Sequence, residues 1–273
     1  MAYQSSLWIC GAAILFLVSC GPAPETTAEP AEPPLHLYLL AGQSNMAGRG
    51  DVEELDRTAV PNVFALDSNM VWGAAKEPLH FDKPDIVGVG PGFAFGRAMA
   101  EANPGVRIGL IPGAVGGSSI RAWLPNEVHQ QTNTRPWDDA LSRTFRVLAQ
   151  QGGELKGIIW HQGEAASNEF APQYEDALVD LVERFRREFQ NPDLPFVAAP
   201  LAEYFVAGNA AAADINAATA RLPERLQHTA VVSAEGMTPK ADNVHLDTAS
   251  AREIGRRYAE AMLALQSQAS QKK

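Results

Sequence analysis

The fold class of this chain is decided by Leu37-Tyr38-Leu39-Leu40-Ala41-Gly42-Gln43-Ser44-Asn45-Met46. An apolar run suited to a buried strand ends at Gly42, and a serine follows two residues later. In an open α/β sheet this position is the carboxyl edge of a strand, where side chains are presented to ligands. Ser44 is therefore a candidate nucleophile if a base and a carboxylate reach it, whereas a serine alone at this place more often only caps the next helix.

Short apolar runs alternate with amphipathic helical patterns throughout the chain after residue 34. The apolar runs are residues 35–41, 106–112, 155–160, 195–200 and 229–234. Such an alternation predicts a parallel sheet that is covered on both faces by helices. We therefore expect an α/β fold, a three-layer α/β/α sandwich with a central five-stranded parallel sheet. Residues 47–90 form a long insertion that we expect to overhang the carboxyl edge of this sheet.

The first twenty residues are typical of an export signal. Leu7–Val18 is an apolar run too short to span a bilayer but suited to the core of a signal peptide. It ends in Leu17-Val18-Ser19-Cys20-Gly21, which resembles the bacterial lipobox, in which cleavage leaves the cysteine to carry lipid. We expect residues 1–20 to be a signal peptide with a lipobox, lipidated at Cys20. The alternatives are a plain secretory signal and an uncleaved anchor.

This interpretation places the protein in the bacterial cell envelope, on the periplasmic or the outer-membrane face, attached to the membrane through a lipid anchor only. Residues 21–34, rich in Pro, Ala, Glu and Thr, predict a disordered tether. The catalytic domain is expected over residues 35–267, followed by a tail of residues 268–273. The net charge of −10 argues against nucleic acid as a partner. The histidines show no metal-ligand spacing, so no metal site is expected.

Polar residues follow four of the predicted strands or their connections. They are the segments 42–44, 113–119, 160–164 and 242–245. Because the carboxyl ends of parallel strands meet at one edge of the sheet, residues far apart in sequence can share one site there.

Ester hydrolysis by a serine needs a base, a carboxylate and donors for the oxyanion. His245 is the candidate base for Ser44, and Asp242 can orient the imidazole across a tight turn. The oxyanion donors are predicted to be the Ser44 and Gly117 N–H groups and the Gln162 amide, each worth about 100-fold or more in rate.

The same residues carry a family resemblance. The blocks GQSNM, GGSSIRAW, WHQGE and DNVH resemble the four sequence blocks of the SGNH hydrolase superfamily. More narrowly, they are similar to its branch of sialate O-acetylesterases and acetylxylan esterases, carbohydrate esterase family six, over residues 35–265. The resemblance implies a flavodoxin-like fold, a Ser-His-Asp centre, no cofactor, and a glutamine, here Gln162, in place of the usual asparagine. It favours Asp242 as the acid, with Glu164 as a buried support or as the alternative acid.

Three further residues are weaker candidates for contact with the substrate. Arg121 and Trp123 could line a sugar-binding wall, or Trp123 could belong to the core and Arg121 to a surface pair. Asn45 could contact substrate, hold the nucleophile loop, or simply be a turn residue.

These observations together predict a serine esterase that removes O-acetyl groups from carbohydrate, of the acetylxylan or sialate type, through an acyl-enzyme. One alternative is a lipase, thioesterase or arylesterase of other acyl specificity. The other is a non-catalytic carbohydrate-binding surface protein on the same fold.

Overall fold

The computed structural model describes residue 1, residues 32–166 and residues 171–271. The predicted signal peptide, Cys20 and most of the predicted tether lie outside these residues, so export and lipid attachment stay predictions from the sequence. One structural unit begins at Pro33. Within the described ranges, no helix is both long and apolar enough to cross a bilayer.

A seven-stranded sheet forms the centre of this unit, in the order β3-β2-β4-β1-β5-β6-β7. The strands are β1 Leu35–Gly42, β2 Val63–Leu66, β3 Trp72–Ala74, β4 Arg107–Pro112, β5 Glu154–His161, β6 Phe196–Ala199 and β7 Thr229–Val231. The five predicted strands are confirmed as β1, β4, β5, β6 and β7, but the predicted number of strands was too low. The two additional strands form a hairpin inside the segment 47–90, and their four and three residues are too short to show a clear periodicity.

The strand order defines where ligands bind. The five predicted strands lie in the order β4-β1-β5-β6-β7 and pair in parallel, which is the flavodoxin-like arrangement. The connection after β1 leads to β4 on one side of it, whereas β5, β6 and β7 lie on the other side. A crevice therefore opens at the carboxyl ends of β1 and β5. There Gly42 pairs with His161, which brings the Ser44 block and the Gln162 block side by side.

Helices cover both faces of the sheet, which confirms the three-layer prediction. They are α1 Ser44–Ala47, α2 Glu54–Arg57, α3 Pro91–Ala102, α4 Pro136–Gln151, α5 Tyr174–Glu188, α6 Glu203–Gly208, α7 Ala211–Ala220, α8 Leu222–Arg225 and α9 Thr248–Gln271. Side chains of α4, α5 and α7 pack on one face, and those of α3 and α9 pack on the other. The apolar run of β1 is continuous because Leu37 and Leu39 enter the first core whereas Tyr38 and Leu40 enter the second.

The last helix extends beyond the predicted end of the domain. The helix α9 continues to Gln271, past the predicted domain end at residue 267, so most of the predicted tail belongs to this helix. Residues 272 and 273 lie outside the described part.

Candidate active site

A sharp turn between β1 and α1 presents Ser44 at the carboxyl edge. Gly42 has a φ of +130°, and a Cβ atom there would lie 2.2 Å from the backbone oxygen of His161. Only glycine fits this close approach of two strands. Gln43, not Ser44, occupies the N-cap position of α1, and the cap makes no side-chain hydrogen bond. The Ser44 hydroxyl is therefore not used to cap the helix.

Ser44, His245 and Asp242 form a continuous chain of hydrogen bonds. The Ser44 Oγ lies 3.0 Å from Nε2 of His245, and Nδ1 of His245 lies 2.7 Å from Oδ2 of Asp242. Because an ionised carboxylate can only accept a hydrogen bond, Nδ1 of His245 carries the proton and donates a hydrogen bond to Asp242. This tautomer leaves the Nε2 lone pair of His245 to accept the Ser44 hydroxyl proton. The structure thus brings the three predicted residues together across about 200 positions of sequence.

The Asp242 carboxylate is fixed by its own turn. Its Oδ1 accepts the N–H groups of Val244 and His245, each at 2.9 Å, while Asn243 between them adopts a φ of +54°. Partial desolvation opposes ionisation, but the hydrogen bonds from the His245 backbone and imidazole and from Val244 hold the pKa of Asp242 at about 2. Since this lies below the ordinary value of 3.8, the turn contributes stability above about pH 4 and loses it as the pH falls through about 2.

Asn45 ties the serine turn to the histidine loop. Its Nδ2 donates to the carbonyl of Val244 at 3.2 Å and to Oε1 of Glu164, and its Oδ1 accepts the N–H of Leu246 at 2.9 Å. Both polar atoms of the amide are therefore engaged within the protein. The loop-holding interpretation fits these contacts, and contact of Asn45 with substrate stays a prediction.

The two candidate acids lie in different environments. Asp242 contacts the imidazole directly, whereas the buried carboxylate of Glu164 contacts Asn45. Burial raises the pKa of Glu164, although hydrogen bonds from backbone N–H groups and from Asn45 partly offset this effect. The geometry therefore places Asp242, and not Glu164, in contact with the imidazole of His245.

Two of the three predicted oxyanion donors are available. Among the hydrogen bonds of the described residues, neither the Ser44 N–H nor the Gly117 N–H has an acceptor. Gly117 has a φ of +81°, a left-handed conformation that glycine adopts without strain. An oxyanion hole requires backbone N–H groups that are not already paired, and both groups meet this requirement.

The third predicted donor, the Gln162 amide, is not available in this arrangement. Its Nε2 donates to Oε1 of Gln43 at 3.1 Å and to the carbonyl of Ser118 at 3.2 Å. The amide cannot simply be reversed, because Gln43 Oε1 also accepts the backbone N–H of Ala165 and must therefore be the oxygen. Gln162, which is 1% exposed, joins the strand ends instead of facing a ligand.

Trp123 and Arg121 lie on one short 3-10 helix, Ile120–Trp123, but differ in exposure. The indole of Trp123 is completely buried, packs edge-on against Trp160 and donates from Nε1 to Ser118 Oγ at 3.2 Å. A ring without exposed surface cannot bind a sugar, so the predicted wall is wrong for Trp123. Arg121 is exposed, and its contact with substrate stays a prediction.

Sequence reasoning missed a group of buried polar residues beneath the Gly117 loop. Arg49 and Asp82 from the insertion, and His129 from the segment before α4, all lie close to Gly116. Spacing gave no signal for these long-range contacts. No group of three metal-ligating side chains occurs among the residues that the structure describes.

The fold, with a serine and a histidine in hydrogen-bond contact at its switch point, is similar to that of the SGNH-type hydrolases. Comparison with known families identifies the family to which the chain belongs. A model of the family described as "Carbohydrate esterase, sialic acid-specific acetylesterase" matches residues 34–264, and the chain belongs to this family. The resemblance drawn from the four sequence blocks is thereby confirmed, and the protein is a carboxylic ester hydrolase.

Relatives and solved structures agree with this assignment. The chain is 31% identical over 252 residues to a probable carbohydrate esterase from Arabidopsis thaliana, which covers 85% of this chain and 91% of the relative. A crystal structure of an Arabidopsis thaliana protein superimposes with a TM-score of 0.74 at 29% identity, over 85% of this chain and 99% of the other. The fold is also similar to that of NanS, with a TM-score of 0.68 at 17% identity, over 87% and 99% of the two chains. A carbohydrate acetylesterase from Xanthomonas citri gives a TM-score of 0.64 at 21% identity, over 84% and 55%.

Proposed function

We propose that this esterase removes acetyl groups from carbohydrate through an acetyl-enzyme on Ser44. The observation that carries the proposal is the hydrogen-bonded chain from the Ser44 hydroxyl through His245 to Asp242. Family membership supports the acetylated carbohydrate as the substrate class.

In the first half of the reaction, Ser44 Oγ attacks the acetyl carbonyl carbon while its proton passes to Nε2 of His245. Asp242 stabilises the imidazolium that forms and keeps its orientation. The negative charge on the carbonyl oxygen is stabilised by the N–H groups of Ser44 and Gly117. The bond to the sugar oxygen then breaks, and His245 returns its proton to that oxygen, which releases the sugar hydroxyl.

In the second half, a water molecule takes the place of the sugar. His245 accepts a proton from the water as the water oxygen attacks the acetyl carbon of the acyl-enzyme. Collapse of this second tetrahedral intermediate breaks the bond to Ser44 Oγ, which regains the proton from His245. Acetate leaves and the free serine is restored, so no external reductant, oxidant or cofactor enters the balance.

The substrate class is tested with a panel of esters. The panel contains acetylated xylan, O-acetylated sialic acid, and p-nitrophenyl esters of an acetyl and an octanoyl group. We expect release of acetate from at least one carbohydrate and a kcat/KM for the p-nitrophenyl acetate well above that for the octanoate. A preference for the octanoate would instead indicate a lipase or arylesterase on this fold. No turnover of any ester by folded protein would favour a carbohydrate-binding role.

A further inference from the structure

The peptide unit that joins Gly116 to Gly117 is held from outside the sheet. One end of this unit is the Gly117 N–H, one of the predicted oxyanion donors, which has no acceptor among the described residues. The other end is the Gly116 carbonyl. Because a peptide is planar, whatever fixes the carbonyl also fixes the direction of the N–H.

The Gly116 carbonyl is fixed by His129. Nε2 of His129 lies 3.2 Å from this oxygen, and since a carbonyl can only accept, Nε2 carries the hydrogen. The backbone of His129 lies in a tight chain reversal, in which its N–H group donates to the carbonyl of Thr134 at 2.8 Å. His129 is only 8% exposed.

Asp82 fixes the preceding peptide. Its Oδ2 accepts the Gly116 N–H at 2.7 Å and Nη2 of Arg49 at 2.8 Å. The Arg49 and Asp82 side chains are 5% and 1% exposed, so this is a buried ion pair. Arg49 also donates from Nη1 to the carbonyl of Gly48 at 2.6 Å, directly after the helix that begins at Ser44. The same group of residues therefore contacts both Gly116 and the C-terminal end of the helix that begins at Ser44.

The ends of two long side chains lie close to the glycines of this peptide unit. A Cβ atom on Gly116 would lie 2.3 Å from Nη2 of Arg49, and one on Gly117 would lie 2.6 Å from Oε1 of Gln131. A larger residue at either position would therefore have to displace the neighbouring side chain.

We propose that His129, together with Asp82, is a positioning residue of the oxyanion hole. A carbonyl that accepts a hydrogen bond polarises its peptide unit, so the N–H at the other end becomes a stronger donor. A donor held in direction before the reaction also needs no reorganisation when charge develops on the substrate. The proposal rests on the proposed function, because it assigns these residues to the oxyanion hole of the Ser44 reaction.

The test compares His129→Phe, which removes the donor, with His129→Gln, whose amide nitrogen can take the place of Nε2. We expect His129→Phe to lower kcat for p-nitrophenyl acetate about tenfold, a fraction of the ~100-fold or more that loss of a whole oxyanion donor costs. KM is expected to stay within about twofold, and His129→Gln to recover most of the lost kcat, since the effect falls on the transition state. His36→Phe makes the same chemical change at the amino end of β1, away from the carboxyl edge, and serves as the control.

A wild-type level of kcat in folded His129→Phe would overturn the inference, as would a raised KM with unchanged kcat. Should His129→Phe not fold, His129→Asn replaces it, because its shorter amide cannot reach the Gly116 carbonyl. We expect the same loss for His129→Asn, and equal activity of the Asn and Gln variants would overturn the inference. If wild type itself hydrolyses no ester, the proposed function fails, which is a separate and distinguishable result.

Discussion

Replacing Asp242 with asparagine is expected to lower kcat by about 10³- to 10⁴-fold while the fold is retained. The Oδ1 atom of the new side chain can still accept the N–H groups of Val244 and His245, so the turn keeps its shape. The amide nitrogen, however, then faces Nδ1 of His245, where two donors would meet. The imidazole avoids this by moving its proton to Nε2, and it can then no longer accept the proton of Ser44. Steady-state kinetics with p-nitrophenyl acetate, after a circular dichroism check of folding, measures the effect.

Glu164→Gln is the matched control, because it makes the same chemical change in the second candidate acid. The new amide oxygen can still accept the hydrogen bond from Asn45, so we expect a loss of no more than about tenfold. A reversed order, with the larger loss for Glu164→Gln, would mean that Glu164 and not Asp242 is the acid partner of His245.

Gly42→Ala is expected to destabilise the protein by about 2–6 kcal/mol. An alanine at a φ of +130° is strained by about 1–3 kcal/mol, and its Cβ atom, 2.2 Å from the His161 oxygen, adds an overpacking cost of similar size. Relief of the clash must push β1 and β5 apart at the carboxyl edge, which would also displace Ser44. Urea unfolding followed by circular dichroism measures the difference in unfolding free energy.

Gly73→Ala provides the comparison for this glycine. Gly73 lies in the edge strand β3, and a Cβ atom added there meets no heavy atom within 4 Å. We expect its unfolding free energy to stay within about 0.5 kcal/mol of wild type. Equal stability of the two variants would show that the close approach of Gly42 to His161 does not require a glycine.

Much of the fold could be predicted because its main strands are buried on both faces. The run from Leu37 to Ala41 is apolar at every position, and each residue enters one of two cores. The hairpin of β2 and β3 was missed because strands of four and three residues carry little periodic signal. The burial of Trp123 could not be predicted either, because it depends on contacts with Trp160 and Phe185, which lie far from Trp123 in the sequence.

The candidate site was predictable where its chemistry is local. The Asp242 turn and its bond to His245 span three residues, so the spacing alone indicates the contact. The orientation of the Gln162 amide could not be predicted, because it depends on Gln43 and, through Gln43, on the backbone of Ala165. The contacts of Asp82 and His129 with Gly116 likewise join segments whose separation in sequence carries no pattern.

Acetate release by wild type and by Ser44→Ala shows directly whether Ser44 is the nucleophile. Both proteins are given the same acetylated carbohydrate under identical conditions, and released acetate is quantified over time. We predict steady release by wild type and a rate about 10⁶-fold lower for Ser44→Ala. Acetate release by a folded Ser44→Ala variant at a rate near that of wild type would show that Ser44 is not the nucleophile.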